Sequence, residues 1–201
     1  MRNTFDRFNG RHQDYQAARP SYAQEFLDWL GELYAPPERY TAADIGSGTG
    51  KLSAQLLAAG FRVCGVEPNP DMRGAAEALL GGDPRFSSSN GTDHDTGLPD
   101  RSVDMVAAAQ AFHWFDGPAF ARECRRILRP GGRAVLVWNV RGPAPVNQAL
   151  AQVFREHCPS FHGFTGGMGE DDPCIRDFFG GAYDCLLYTS PSPRAGLLSR
   201  M

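Results

Sequence analysis

The sequence lacks the features that mark several common classes of protein. No stretch of its 201 residues carries a run of like charges, and 20 Lys and Arg against 23 Asp and Glu leave a net charge of −3. Chains that hold nucleic acid by bulk electrostatics gather Lys and Arg on one face, so nucleic acid is not an expected partner. No apolar run approaches bilayer length, and the opening MRNTFDRFNGRHQDY is polar, so neither a membrane span nor a secretory leader is expected. The five cysteines, Cys64, Cys124, Cys158, Cys174 and Cys185, are odd in number and scattered, with no C-x-x-C pair. They suit free thiols in a reducing cytoplasm better than a disulfide framework or a metal site.

What is present is a chain that is 42% hydrophobic, enough to build one globular domain. Ser21 precedes Gln24 by three residues, a capping-box start for a helix. Tyr22, Phe26, Trp29, Leu30, Leu33 and Tyr34 then fall at helical spacing, and Pro36-Pro37 ends the run. Strand and helix patterns alternate after that. Strands are expected over Thr41 to Ile45, Phe61 to Val66, Arg85 to Ser89, Val103 to Ala109 and Arg133 to Trp138, the last after a Pro130-Gly131-Gly132 turn. Helices are expected over Lys51 to Ala59 and Pro70 to Leu80, around Phe120, Cys124, Ile127 and Leu128, and around Val146, Leu150, Val153 and Phe154. Alternation of this kind predicts an α/β fold, a doubly wound, Rossmann-like, mostly parallel sheet with helices on both faces. Ligands in such sheets sit at the carboxyl ends of the strands, where strand order reverses.

Asp44-Ile45-Gly46-Ser47-Gly48-Thr49-Gly50 follows the first strand and opens a helix. Glycines there let a ligand lie against the backbone, and the helix offers free N–H groups. The spacing is G-x-G-x-G with Lys51 next, not the G-x-G-x-x-G of dinucleotide sites. Asp44 suits a ligand with an ammonium group better than one with a pyrophosphate. Glu67 ends the second strand 21 residues beyond Gly46, where a carboxylate can accept hydrogen bonds from ribose hydroxyls. Asp93, after the third strand, reads either as an acceptor for an adenine amino group or as an ordinary loop residue. After the fourth strand come Gln110, Phe112, His113, Trp114 and Phe115. Phe112 and Phe115 suit the core. His113 and Trp114 suit a substrate pocket, with His113 read either as a general base or as a noncatalytic histidine.

ADIGSGTGKLS, VEPNPDM, GLPDRSVDMVAAAQAFHWF and RECRRILRPGGRAVLVWN resemble, in order, the motifs of class I S-adenosylmethionine-dependent methyltransferases. The likeness is to the small-molecule type related to ubiquinone-biosynthesis and trans-aconitate methyltransferases, and it covers about residues 5 to 140. It implies S-adenosylmethionine as cofactor, with Asp44, Gly46, Gly48 and Gly50, and Ser47 in the same loop, around its methionine portion. Glu67 would bind the ribose, Met72 and Asp93 would contact adenine, and Gln110, His113 and Trp114 would lie near the methyl. Tyr15 and Arg19, in a stretch that resembles the subgroup's entry segment, would close over the site. Members often have Ala-Glu where this chain has Asp93-His94. The Asn-Pro-Pro-aromatic motif of base and amide methylation is replaced by Gln-Ala-Phe-His. A small-molecule acceptor is the expected partner, with a monomer and a dimer both open. A nicotinamide-dependent oxidoreductase and a noncatalytic cofactor-binding module are the competing readings.

The expected organisation is a methyltransferase domain over residues 1–184. It comprises a helical segment at 1–35, a cofactor-binding core at 40–140 and an incomplete part at 141–184. Cys185 to Arg194 resembles the translated transposon-end adapter used in preparing DNA libraries. Residues 185–201 are therefore expected to be a non-native read-through tail on a sheet that lacks its last strands.

Overall fold

The computed structural model describes residues 21–140, 145–158, 172–189 and 196–200. The first helix among the described residues, α1 (Gln24–Leu33), starts later than the capping box at Ser21 suggests. Ala23 stands at its N-cap without a side-chain hydrogen bond, and the Gln24 amide turns forward to Asp28 at 2.9 Å instead of back to Ser21. Burial decides its placement: Phe26, Leu27 and Leu30 are buried against the sheet.

Five strands then run parallel: β1 (Thr41–Ile45), β2 (Arg62–Val66), β3 (Phe86–Ser89), β4 (Val103–Ala109) and β5 (Leu128–Val140). Between them lie α2 (Lys51–Ala58), α3 (Pro70–Leu80) and α4 (Gly117–Ile127). The spatial order is β3-β2-β1-β4-β5, so the direction of winding reverses between β1 and β4. Alternate side chains of the central strands feed two cores. Met105 and Ala107 of β4, with Val135 and Val137 of β5, pack under α1 and α2. Val106, Ala108, Leu136 and Trp138 pack on the opposite face with Phe120, Cys124 and Ile127 of α4. A strand buried on both faces reads as a continuous apolar run, which is how VDMVAAA looks.

β5 is longer than Arg133 to Trp138, because Pro130-Gly131-Gly132 does not end the preceding element. The three residues form an irregularity in the pairing with β4, between Val103↔Leu128 and Met105↔Arg133. Gly132 lies so close to the Asp104 carbonyl that a Cβ there would sit 2.9 Å from its oxygen.

Helix α5 (Pro145–His157) forms where expected, but its apolar residues are not core: Val146, Leu150, Val153 and Phe154 are exposed. A short α6 (Pro173–Phe179) stacks Phe178 on Phe120 of α4, with ring centroids 5.2 Å apart. The expectation of missing last strands is corrected. β6 (Cys185–Thr189) and β7 (Gly196–Arg200) form an antiparallel pair, and β7 lies antiparallel to β5 from Leu136 to Val140. Among the described residues the sheet therefore has seven strands, in the order β3-β2-β1-β4-β5-β7-β6. The physical reason is that an open strand edge offers N–H and C=O groups that any extended segment can pair with. Such backbone pairing does not bear on the origin of residues 185–201.

Candidate functional site

At the reversal of strand order the carboxyl ends of β1, β2 and β4 open onto a cavity of about 320 Å³. Its floor is the loop from Gly46 to Gly50. The N–H groups of Gly46 and Ser47 donate to the Val66 carbonyl at 2.9 and 3.2 Å, tying this loop to the end of β2. Gly46, Gly48 and Gly50 all have φ in the left-handed region, which explains the residue type at each. Their surroundings differ. A Cβ on Gly46 would meet the Ala111 Cβ at 2.8 Å, whereas one on Gly48 would meet nothing within 4 Å. Gly46 is thus packed against the protein, and Gly48 is bare backbone facing open space.

Gly50 is a correction to the sequence reading. It does not line the cavity, because α3 closes on it: a Cβ there would sit 2.9 Å from Leu80 Cδ1 and 3.1 Å from the Ala76 Cβ. Its glycine lets α3 pack on the start of α2.

Asp44 lines the cavity and is 1% exposed. Ser53 Oγ, in the first turn of α2, donates to Asp44 Oδ2 at 2.7 Å, while Oδ1 has no partner among the described residues. Loss of water pushes the Asp44 pKa up to about 6; the Ser53 hydrogen bonds oppose the shift and the Glu67 charge adds to it. Glu67 is also buried, and burial raises its pKa against the pull of two backbone donors. The Gly48 N–H donates to Oε2 and the Asn69 N–H to Oε1, each at 2.9 Å. The carboxylate thus clamps the glycine loop to the start of α3, and each oxygen keeps a lone pair for a hydroxyl donor. Asn69 caps α3 by accepting from the Asp71 and Met72 N–H groups.

Met72, Asp93, Gln110 and Trp114 also line the cavity. Asp93 receives the Asp116 N–H at 3.0 Å and lies 3.1 Å from His94 Nδ1, so it secures the loop before α4. Gln110 takes a left-handed φ of 55° at the end of β4 and donates its side-chain amide to the Asn139 carbonyl at 2.9 Å. His113 does not line the cavity. Phe112–Trp114 form one turn of 3-10 helix, whose three side chains leave in three directions. Phe112 enters the core, Trp114 reaches the cavity, and the His113 ring lies beside Trp114 at 4.9 Å. Tyr15 and Arg19 lie outside the described residues. Phe115, read as core, does two jobs: it lines the cavity and packs edge-on against Phe120 at 4.9 Å.

Sequence reasoning missed Tyr22, Lys51, Asn69 and Asp116 as cavity residues. Asn69 and Asp116 were legible, since an Asn before Pro-Asp and an Asp before Gly-Pro are N-cap signatures. Tyr22 carried no local signal. Its backbone is fixed by a distant side chain, with Gln55 Nε2 donating to its carbonyl and its own N–H donating to Gln55 Oε1, both at 3.0 Å.

The cavity fits a nucleoside bearing an amino-acid end. An unsatisfied buried carboxylate oxygen suits an ammonium group, a doubly anchored carboxylate suits a ribose diol, and a bare glycine allows close approach.

Residues 43–136 match the family model described as a methyltransferase domain. Over 127 residues the chain is 42% identical to an uncharacterised methyltransferase of Mycobacterium bovis, covering 63% of this chain and 49% of that protein. It is 32% identical over 153 residues to an uncharacterised methyltransferase-like protein of Schizosaccharomyces pombe, covering 74% and 59%. The chain thus spans about half the length of the curated relatives it matches. Among solved structures it resembles a candidate type II methyltransferase from Anaeromyxobacter dehalogenans (TM-score 0.57, 26% identity, 90% of this chain and 94% of that one). It shares its fold with a SAM-dependent methyltransferase from Aquifex aeolicus (TM-score 0.55, 15% identity, 87% and 88%). Motif order, strand order, cavity chemistry and these likenesses agree: residues 43–136 of this chain are similar to the methyltransferase domain family, and the fold is that of S-adenosylmethionine-dependent methyltransferases.

Proposed function

We propose that the chain catalyses methyl transfer from S-adenosylmethionine to a small-molecule acceptor. The observation that carries this is the pairing, in one cavity, of Asp44 Oδ1 without a partner and Glu67 fixed across the glycine loop. The same geometry disfavours a dinucleotide. The Gly48 N–H, which would face a pyrophosphate, already donates to the Glu67 carboxylate, and a second anion there would be repelled.

In this reading Asp44 holds the ammonium, Glu67 the ribose, and Met72 packs on the adenine. Bound there, the cofactor supplies an electrophilic methyl on a sulfonium. Gln110, locked to the Asn139 carbonyl, fixes the wall at the end of β4. Trp114, Phe115 and Tyr22 form an aromatic mouth that keeps water away and orients an acceptor. Positioning an acceptor in line with the methyl supplies most of the rate, so no strong base is required. His113, away from the cavity, is better read as packing beside Trp114 than as a base. Among the described residues no helix is long and apolar enough to cross a membrane, and five free cysteines support work in a reducing cytoplasm.

Thermal melting with and without S-adenosylhomocysteine, and with NAD in parallel, tests the proposal. S-adenosylhomocysteine at about a hundred times its dissociation constant is expected to raise the melting temperature by roughly 5–10 °C. A rise with NAD alone would overturn the proposal in favour of an oxidoreductase. Binding of S-adenosylhomocysteine without turnover of any acceptor would favour a noncatalytic module.

A further inference from the structure

The 20 basic side chains of the Lys and Arg count are nineteen arginines and a single lysine, Lys51. That lysine lines the cavity at the first position of α2, and among the described residues no arginine lines it. Glu67, Asp93 and Asp116 also line it, as does Asp44. Ser53, two residues beyond Lys51 along the same helical turn, donates to Asp44 Oδ2 at 2.7 Å. The buried, unpartnered Asp44 Oδ1 therefore lies at the N-terminal end of α2.

An α-amino acid carries its ammonium and its carboxylate on one carbon. With the ammonium on Asp44, the carboxylate falls at the first turn of α2, where backbone N–H groups and the positive end of the helix favour an anion. We propose that Lys51 is the counter-charge for the carboxylate of the cofactor's amino-acid end, so that Asp44 and Lys51 together recognise a zwitterion. This rests on the methyltransferase reading and adds a specificity determinant to it. Lysine suits the task because its ammonium is a compact charge on a flexible stem, able to reach a carboxylate from the rim of a cavity.

Titration calorimetry on the full chain with three ligands tests the assignment. S-adenosylhomocysteine carries both charges, its decarboxylated analogue keeps the ammonium only, and methylthioadenosine has neither. Lys51→Met is expected to weaken S-adenosylhomocysteine by about tenfold or more, the scale of a lost charged hydrogen bond. It should leave the other two ligands within about twofold of wild type, and Lys51→Arg should recover most of the loss. A Lys51→Met chain that binds all three ligands as wild type does overturns the assignment while leaving the cofactor reading intact. Equal weakening of all three, with an unchanged melting curve, overturns it too, since the role would then not concern the carboxylate. A wild-type chain that binds none of the three sinks the cofactor reading and this inference together.

Discussion

Burial raises the pKa of Asp44 from 3.8 to about 6, and the effect on stability opposes its use in binding. The folded chain holds this proton more tightly than the unfolded chain does, so stability falls as pH rises from about 4 to about 6 and stays lower above. Asp44→Asn keeps an acceptor for Ser53 and removes the charge. In urea unfolding the variant should be more stable than wild type by roughly 1–3 kcal/mol near pH 8 and little different near pH 4. It should also lose S-adenosylhomocysteine affinity; lower stability near pH 8 would mean that the charge is already compensated. Two glycines separate in the same way. Gly46→Ala forces a Cβ to within 2.8 Å of Ala111 and should destabilise the fold by about 2 kcal/mol or more. Gly48→Ala meets only open space, so it should cost about 1–2 kcal/mol of left-handed strain yet abolish ligand binding. Melting and titration of both variants check the contrast. At this scale Asp44 and Glu67 were legible from their positions after strands. The different duties of Gly46, Gly48 and Gly50 were not, because what a Cβ would meet depends on Ala111 and Leu80, distant in sequence.

One side chain gathers several of the ties between α4 and the loop that follows β3. Glu123, on α4, accepts from the Thr96 N–H at 2.9 Å, the Thr96 hydroxyl at 2.6 Å and two Arg126 donors at 2.8 and 2.7 Å. Burial would raise its pKa, but these hydrogen bonds outweigh burial and hold it at about 2. The folded pKa lies below the unfolded 4.5, so this stabilisation is present above about pH 4.5 and is lost as pH falls toward 2. Glu123→Gln should lower stability at neutral pH by about 1–3 kcal/mol, with the gap closing on acidification in unfolding titrations. A constant gap at all pH values would point to packing and not charge. Elements were legible where local chemistry agreed with the tertiary fold. α3 begins at Pro70 as expected, because Asn69 caps it and proline suits its first turn. α1 was misplaced by two or three residues because burial of Phe26 and Leu30 overrode the apparent cap at Ser21. The exposure of α5 could not be read from an apolar periodicity that promised burial.

For the molecule as a whole, the winding order and the site at its reversal were legible because strand–helix alternation leaves few topologies. The closing pair β6 and β7 was not, since backbone pairing onto β5 leaves no periodicity in CLLYT or GLLSR. A chain cut after Asp184 should lose that pair and expose the β5 edge at Leu136 to Val140. It should melt at lower temperature and associate at high concentration, while still binding S-adenosylhomocysteine, because the cavity is built from β1, β2 and β4. Loss of binding on truncation would show that the sheet edge shapes the site. The scarcity of lysine has a practical consequence. Lys51 is the single lysine of the sequence. Ester-based dyes, amine cross-linkers and coupling to activated beads will therefore modify the cavity rim, and a protein tethered that way will report an occluded site as an inactive one.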